Sequence, residues 1–142
     1  MMNYFFDTSA LIKNYIEEIG SDYVSGLMDG AVKIFVSSIT IIECYSTLRR
    51  ILLEKLITED EYLHLKNEIT YDFGFFNKIE FENITEKCEQ LIDVYQLKTL
   101  DSIQLAASLT VSEEIDTFVC CDIKLLNAAA RENLDILNPI DP

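Results

Sequence analysis

Four acids stand where a chain alternating strands and helices would gather them: Asp7, Glu43, Asp101 and Asp122. Asp7 closes the apolar run Tyr4-Phe5-Phe6, and Asp122 closes the run Thr117-Phe118-Val119-Cys120-Cys121. Glu43 lies early in the helix after a second short strand, and Asp101 lies in the first turn of a helix opening Leu100-Asp101-Ser102. In an open parallel sheet, ligands bind outside the carboxyl ends of the strands, the edge where helices also start. Carboxylates converging there repel one another unless cations sit between them. Oxygen donors of this kind suit Mg²⁺ or Mn²⁺, which keep several waters and bind substrate phosphates. The chemistry open to such a cluster is metal-assisted hydrolysis of a phosphodiester by in-line attack of water, with no side-chain nucleophile.

Each acid also has a purely architectural reading. Asp is a favoured helix N-cap, so Asp7, Asp101 and Asp122 each fit that role, and Thr40 with Glu43 has the spacing of a capping box. The basic residues nearest the acids in sequence are Lys13, Arg49, Arg50, Lys98 and Lys124. They are candidates for holding RNA phosphates, although any one of them also reads as part of a solvated helix face.

The elements that must position these residues follow from periodicity. After the first strand, helical spacing through Ala10, Leu11, Ile12, Tyr15 and Ile16 predicts a helix ending near Gly20, and Ser21 starts another toward Met28. Lys33–Ser37 reads as a strand and Ser38–Leu53 as a helix with an apolar stripe through Ile41, Ile42, Tyr45, Leu48, Ile51 and Leu52. Thr58 with Glu61 is a capping box opening a helix to about Tyr71, so these two helices form a hairpin. An aromatic loop surrounds Gly74, Lys78–Phe81 alternates as a third strand, and Thr85–Tyr95 is helical. Leu100–Leu109 is a helix rich in small residues. Thr117–Cys121 is a fourth strand, a helix runs through Leu125, Leu126, Ala129 and Ala130, and Leu134–Pro139 supplies a last strand. Strands alternating with helices, without tight hairpin turns, predict an α/β sandwich of three layers: a central parallel sheet with helices on both faces.

Composition narrows the function classes. At 142 residues the chain fits a single domain, residues 1–142, and charges break every apolar stretch well short of a bilayer span. The opening Met1-Met2-Asn3-Tyr4 has no basic segment leading a hydrophobic one, which predicts a cytoplasmic protein with no membrane association. Cys44, Cys88, Cys120 and Cys121 are too few and too irregularly spaced for a disulfide framework or zinc site and read as reduced core residues. His64, the single histidine, reads as a surface residue. The net charge of −14 argues against a general nucleic-acid surface, but a cation-filled acidic pocket inverts the local field, and an acidic exterior suits a basic protein partner.

The ordered set Phe5-Phe6-Asp7-Thr8-Ser9-Ala10-Leu11-Ile12-Lys13, Thr40-Ile41-Ile42-Glu43, Leu100-Asp101-Ser102-Ile103-Gln104-Leu105-Ala106 and Cys121-Asp122-Ile123-Lys124-Leu125-Leu126 resembles the PIN-domain nucleases, especially the stand-alone VapC-type toxins. The resemblance covers nearly the whole chain. It implies a Mg²⁺- or Mn²⁺-dependent endoribonuclease, often a homodimer, held inactive by a small antitoxin protein. It also implies that Asp7, Glu43, Asp101 and Asp122 are the metal-binding acids and that Ser9 supplies a hydroxyl near the metal. Two residues depart from the family pattern: Gln104 stands where many relatives have His, and Ser102 replaces a small Ala.

Two enzyme rivals fall on single positions. A haloacid-dehalogenase-like phosphatase needs a second Asp two residues after the first, where this chain has Ser9. A phospho-receiver domain needs paired acids near the first strand and an Asp ending a middle strand, and neither is present. The rival outside catalysis is a PIN-like module that only binds protein or RNA; intact acids weigh against it, and a response to Mn²⁺ separates the two.

Overall fold

The computed structural model describes residues 1–142. Five parallel strands form one sheet: β1 (Met2–Phe6), β2 (Ala31–Ser37), β3 (Asn77–Ile79), β4 (Thr117–Val119) and β5 (Ile136–Leu137). Seven helices connect them: α1 (Thr8–Leu11, continued by a 3-10 turn Ile12–Asn14), α2 (Ser21–Gly30), α3 (Thr40–Leu53), α4 (Glu59–Phe73), α5 (Thr85–Tyr95), α6 (Thr99–Thr110) and α7 (Ile123–Arg131). No helix is long and apolar enough to cross a membrane.

The aromatic run of β1 makes the sheet's centre because its side chains alternate between two cores. Phe5 joins Phe35 and Phe118 under α5, α6 and α7, where it stacks on Phe118 at 5.7 Å. Tyr4 and Phe6 join Val36 and Val119 on the other face, under α1 to α4. A strand buried on both sides must be apolar throughout, and Tyr4, Phe5 and Phe6 are. The three-layer sandwich is thus as the sequence predicts.

Strand order is β3-β2-β1-β4-β5. The chain winds outward from β1 in one direction through β2 and β3, then returns to β1's other side with β4 and β5. That reversal places a switch point between β1 and β4, where the carboxyl ends of neighbouring strands open a crevice. Phe6 pairs with Val119 in register there, and the next backbone N–H, that of Asp7, donates to Val119 O at 3.1 Å. Asp7 and Asp122 flank this point.

Several local expectations are corrected. The helix expected through Ile16 stops at Asn14, because Ser21 takes over the following backbone: its hydroxyl donates to Ile16 O at 3.0 Å and accepts from Glu18 N at 2.8 Å. Gly20, at φ 92°, caps α2 in the left-handed region. The third strand is Asn77–Ile79 rather than Lys78–Phe81. The fourth ends at Val119 because Cys121 N leaves the sheet and donates to Ser9 Oγ at 3.1 Å. The Thr40–Glu43 capping box is absent: Ile39 is already helical and serves as N-cap, so Thr40 lies inside α3. The Thr58–Glu61 box is present at α4, and α3 and α4 pack as the expected hairpin. All four cysteines are free, Cys44 and Cys120 being buried and Cys88 and Cys121 partly so, while His64 lies on the surface beside Glu68.

Candidate metal centre

Asp7 is fixed before any ligand arrives. As N-cap of α1 its Oδ1 accepts from Ala10 N at 3.1 Å and from Ser9 Oγ at 2.8 Å, while Oδ2 accepts from Ser9 Oγ at 2.9 Å and from the Cys120 thiol at 3.2 Å. It is 4% exposed, and burial raises its pKa from 3.8 to about 6; the donors from Ser9, Cys120 and Ala10 oppose that rise, and the charge of Asp101 adds to it. Ser9, expected near a metal, is tied to Asp7 and to the Cys121 backbone. Cys120, read from sequence as core, also accepts from Asp122 N at 3.3 Å and so links the two strand-end acids. Burial and then the charge of Asp7 push its thiol pKa up, which keeps it a neutral donor. Only its place two residues before Asp122 hinted at this.

Asp122 caps α7, its Oδ1 accepting from Leu125 N at 2.8 Å, and stays exposed. Glu43, one turn into α3 and half-buried, accepts on Oε1 from Thr8 Oγ1 at 2.7 Å and from Gln104 Nε2 at 2.9 Å. Asp101 lies in the first turn of α6, where Lys98 is the N-cap and no side chain caps the helix. Asp101 is therefore not the cap that its position suggested. Its pKa is raised by burial first, then by the negative charges of Asp122 and Glu43, with Lys98 and Lys124 opposing. Asp101 thus feels each of the other three acids, either in its own pKa or through Asp7.

No three His, Cys, Asp or Glu side chains gather tightly enough to enclose a metal ion by themselves. The donor set nonetheless fits one kind of ion. Mutually repelling, partly desolvated carboxylates match a hard divalent cation that keeps most of its water and takes one or two protein oxygens. A cleft of about 520 Å³ is lined by Glu43 with Thr8, Ser9, Ile42 and Leu100 among others, so Glu43 borders open space rather than core.

The sequence-picked cations divide. Lys98 and Lys124 act on Asp101, and Lys124 Nζ donates to Gln96 O at 2.6 Å. Lys13 is buried and paired with Glu18 at 3.1 Å; Arg50 pairs with Glu54 at 3.5 Å, and Arg49 lies over the Tyr62 ring at 5.8 Å. Of the two departures, Ser102 donates to Thr99 O at 2.6 Å within its own helix, whereas Gln104 reaches Glu43.

None of the curated proteins compared with the chain matches it in sequence. Among solved structures it is similar to a toxin-antitoxin complex from Klebsiella pneumoniae, at 19% identity and a TM-score of 0.68 over 96% of this chain and 97% of that one. It is also similar to VapBC2 from Rickettsia felis bound to a DNA fragment from its promoter (16%, TM-score 0.65, 96% and 98% covered) and to FitAcB from Neisseria gonorrhoeae (14%, TM-score 0.69, 96% and 97% covered). At these identities the likeness is one of fold. The family model of the PIN domain matches residues 4–131, nearly the whole chain, and the protein therefore belongs to the PIN-domain family.

Proposed function

We propose that the chain is a divalent-cation-dependent endoribonuclease that hydrolyses RNA phosphodiester bonds and serves as the toxin of a toxin-antitoxin pair. PIN domains are generally nucleases that depend on divalent metal. The observation that carries the reading is Asp101, a carboxyl that caps nothing yet is kept, partly buried, in the field of Asp122 and Glu43. Displaced titration without a folding task points to a functional site.

Asp7, Glu43, Asp101 and Asp122 are the residues that would hold Mg²⁺ or Mn²⁺. When bound, such a cation supplies Lewis-acid polarisation of the phosphodiester and a lower pKa for water. Asp7, locked by three donors, gives the site a rigid side, and exposed Asp122 gives it an open one. Lys98 and Lys124 hold the phosphates of the strand on either side of Asp101, and exposed Ile42 and Leu100 offer an apolar wall for its bases.

The partner reading rests on charge and shape. A groove of about 670 Å³ between the α1–α2 loop and the α3–α4 turn has Ile16, Ile51 and Leu65 in its floor and Glu17, Glu18 and Asp60 on its rim. With a net charge of −14, the chain suits a basic amphipathic antitoxin segment. The similar structure from Klebsiella pneumoniae is a toxin-antitoxin complex.

The test is incubation of the purified chain with labelled RNA and labelled single-stranded DNA, in Mn²⁺ and in chelator. The reading expects Mn²⁺-dependent cleavage of RNA. Cleavage of DNA alone overturns the substrate, and no cleavage together with no Mn²⁺ effect on melting leaves a PIN fold that only binds.

A further inference from the structure

Gln104 sits in the middle of α6, 3% exposed, and reaches across to α1 and α3. Its Nε2 approaches three oxygens: Glu43 Oε1 at 2.9 Å, Thr40 Oγ1 at 2.9 Å and Thr8 Oγ1 at 3.1 Å. An amide nitrogen carries two hydrogens, so three acceptors compete for two donors. Thr8 Oγ1 donates at 2.7 Å to the same Glu43 oxygen.

The other end of the amide makes no hydrogen bond: Gln104 Oε1 is buried without a partner. An orphaned buried acceptor is unfavourable and uncommon. Turning the amide over would let a threonine hydroxyl donate to the carbonyl, but it would set that carbonyl against a carboxylate oxygen and strip Glu43 of its N–H donor. Glu43 therefore dictates the orientation, and the fold tolerates the orphan in order to keep an N–H on that carboxylate. Both donors fall on Oε1, which leaves Oε2 as the oxygen able to meet a cation. A glutamate has several rotatable bonds, and ordering it on metal binding costs rotamer freedom that Gln104 has already removed.

We propose that Gln104 is a positioning residue for Glu43, holding Oε1 from behind so that Oε2 is presented to the acids around Asp101 as a metal ligand. The inference rests on the metal-site reading above and adds a residue to it.

The test is a Mn²⁺ titration followed by melting, on wild type, Gln104→Met and Thr40→Val. Methionine conserves volume and removes both the donor and the orphan, so the variant should fold and melt in chelator within a few degrees of wild type. Its Mn²⁺ concentration for half of the melting shift should rise about tenfold or more, the usual cost of losing a side chain that orients a metal-ligating group. Thr40→Val removes a different acceptor of the same amide. It should lower the melting temperature while keeping the Mn²⁺ midpoint within about twofold of wild type, because the donor on Glu43 remains. If Gln104→Met does not fold, Gln104→Asn, one methylene too short to reach Glu43, is read in the same way. A midpoint unchanged in the Gln104 variant overturns the positioning role, and so does an equal rise in Thr40→Val, which would mean general loosening of α3 against α6. A wild type with no Mn²⁺ shift overturns the metal site itself, and the role of Gln104 with it.

Discussion

The four acids reach one edge of the sheet in two ways. Asp7 and Asp122 follow strands β1 and β4 and cap the helices that come next, so each carboxylate satisfies a backbone N–H that would otherwise be bare. Glu43 and Asp101 sit inside the first turns of α3 and α6, where no cap needs them. For the first pair, folding alone explains the residue type. For the second it does not, and burial with like charge nearby makes Asp101 a liability to the empty protein. A group retained against the interest of the fold is the clearer sign of function.

The sharpest break of this comparison is at Asp7. Its folded pKa, about 6, lies above its ordinary 3.8, so the folded protein prefers the protonated acid. The stability this contributes is fully present below about pH 4 and is lost as pH rises through 6, by about 3 kcal/mol at 1.36 kcal/mol per unit. In chelator, the stability of Asp7→Asn relative to wild type should therefore grow by about that amount between pH 4 and 7. Mn²⁺ should close the gap by stabilising wild type alone. Parallel stability curves for the two proteins would mean that burial does not hold the Asp7 carboxyl above its ordinary pKa.

Asp122 and Asp101 should then part company by a smaller margin. Asp122→Ala loses a cap and should cost about 0.5 to 2 kcal/mol in chelator, while Asp122→Asn should be nearly neutral. Asp101→Ala and Asp101→Asn should both be neutral or stabilising there, since no cap is lost and a repulsion is relieved. An Asp101→Ala cost as large as that of Asp122→Ala, read from urea melts, would put the two acids in one class.

The smallest effects belong to the lysines. Lys98→Ala and Lys124→Ala should each weaken RNA binding a few-fold and make the slope of log affinity against log salt shallower by about 0.7. Arg50→Ala, which breaks an outward pair with Glu54, should do neither. Equal slopes for all three variants would move the RNA path away from Asp101.

What the sequence showed and what it hid divide by range. Strand and helix identities were legible because Tyr4, Phe5 and Phe6 are buried and apolar and because Asp7 follows its strand at once and Asp122 opens the helix after β4. Strand order was not, since nothing local says that β4 returns beside β1. Chain proximity misled at Lys13, which is close to Asp7 in sequence but buried against Glu18, and served at Lys98 and Lys124, which act on Asp101. Spacing misled at Thr40 and Glu43, where a capping-box pattern falls one residue inside the helix and Thr40 instead meets Gln104. Gln104 stood out as a departure from a pattern, but its contact with Glu43 spans 61 residues and needed the packing of α6 on α3 to be seen.

The central claim is that the four acids act as one cation-binding, RNA-cleaving site, and Asp101→Asn tests it most directly. Melting curves with and without Mn²⁺, on wild type and variant, are to be run beside RNA cleavage by the same preparations. One shared site requires that wild type gain melting temperature with Mn²⁺, that the variant start at or above wild type in chelator, and that it lose the Mn²⁺ gain and cleavage together. A variant that keeps the full Mn²⁺ shift and cleaves RNA at the wild-type rate would contradict it.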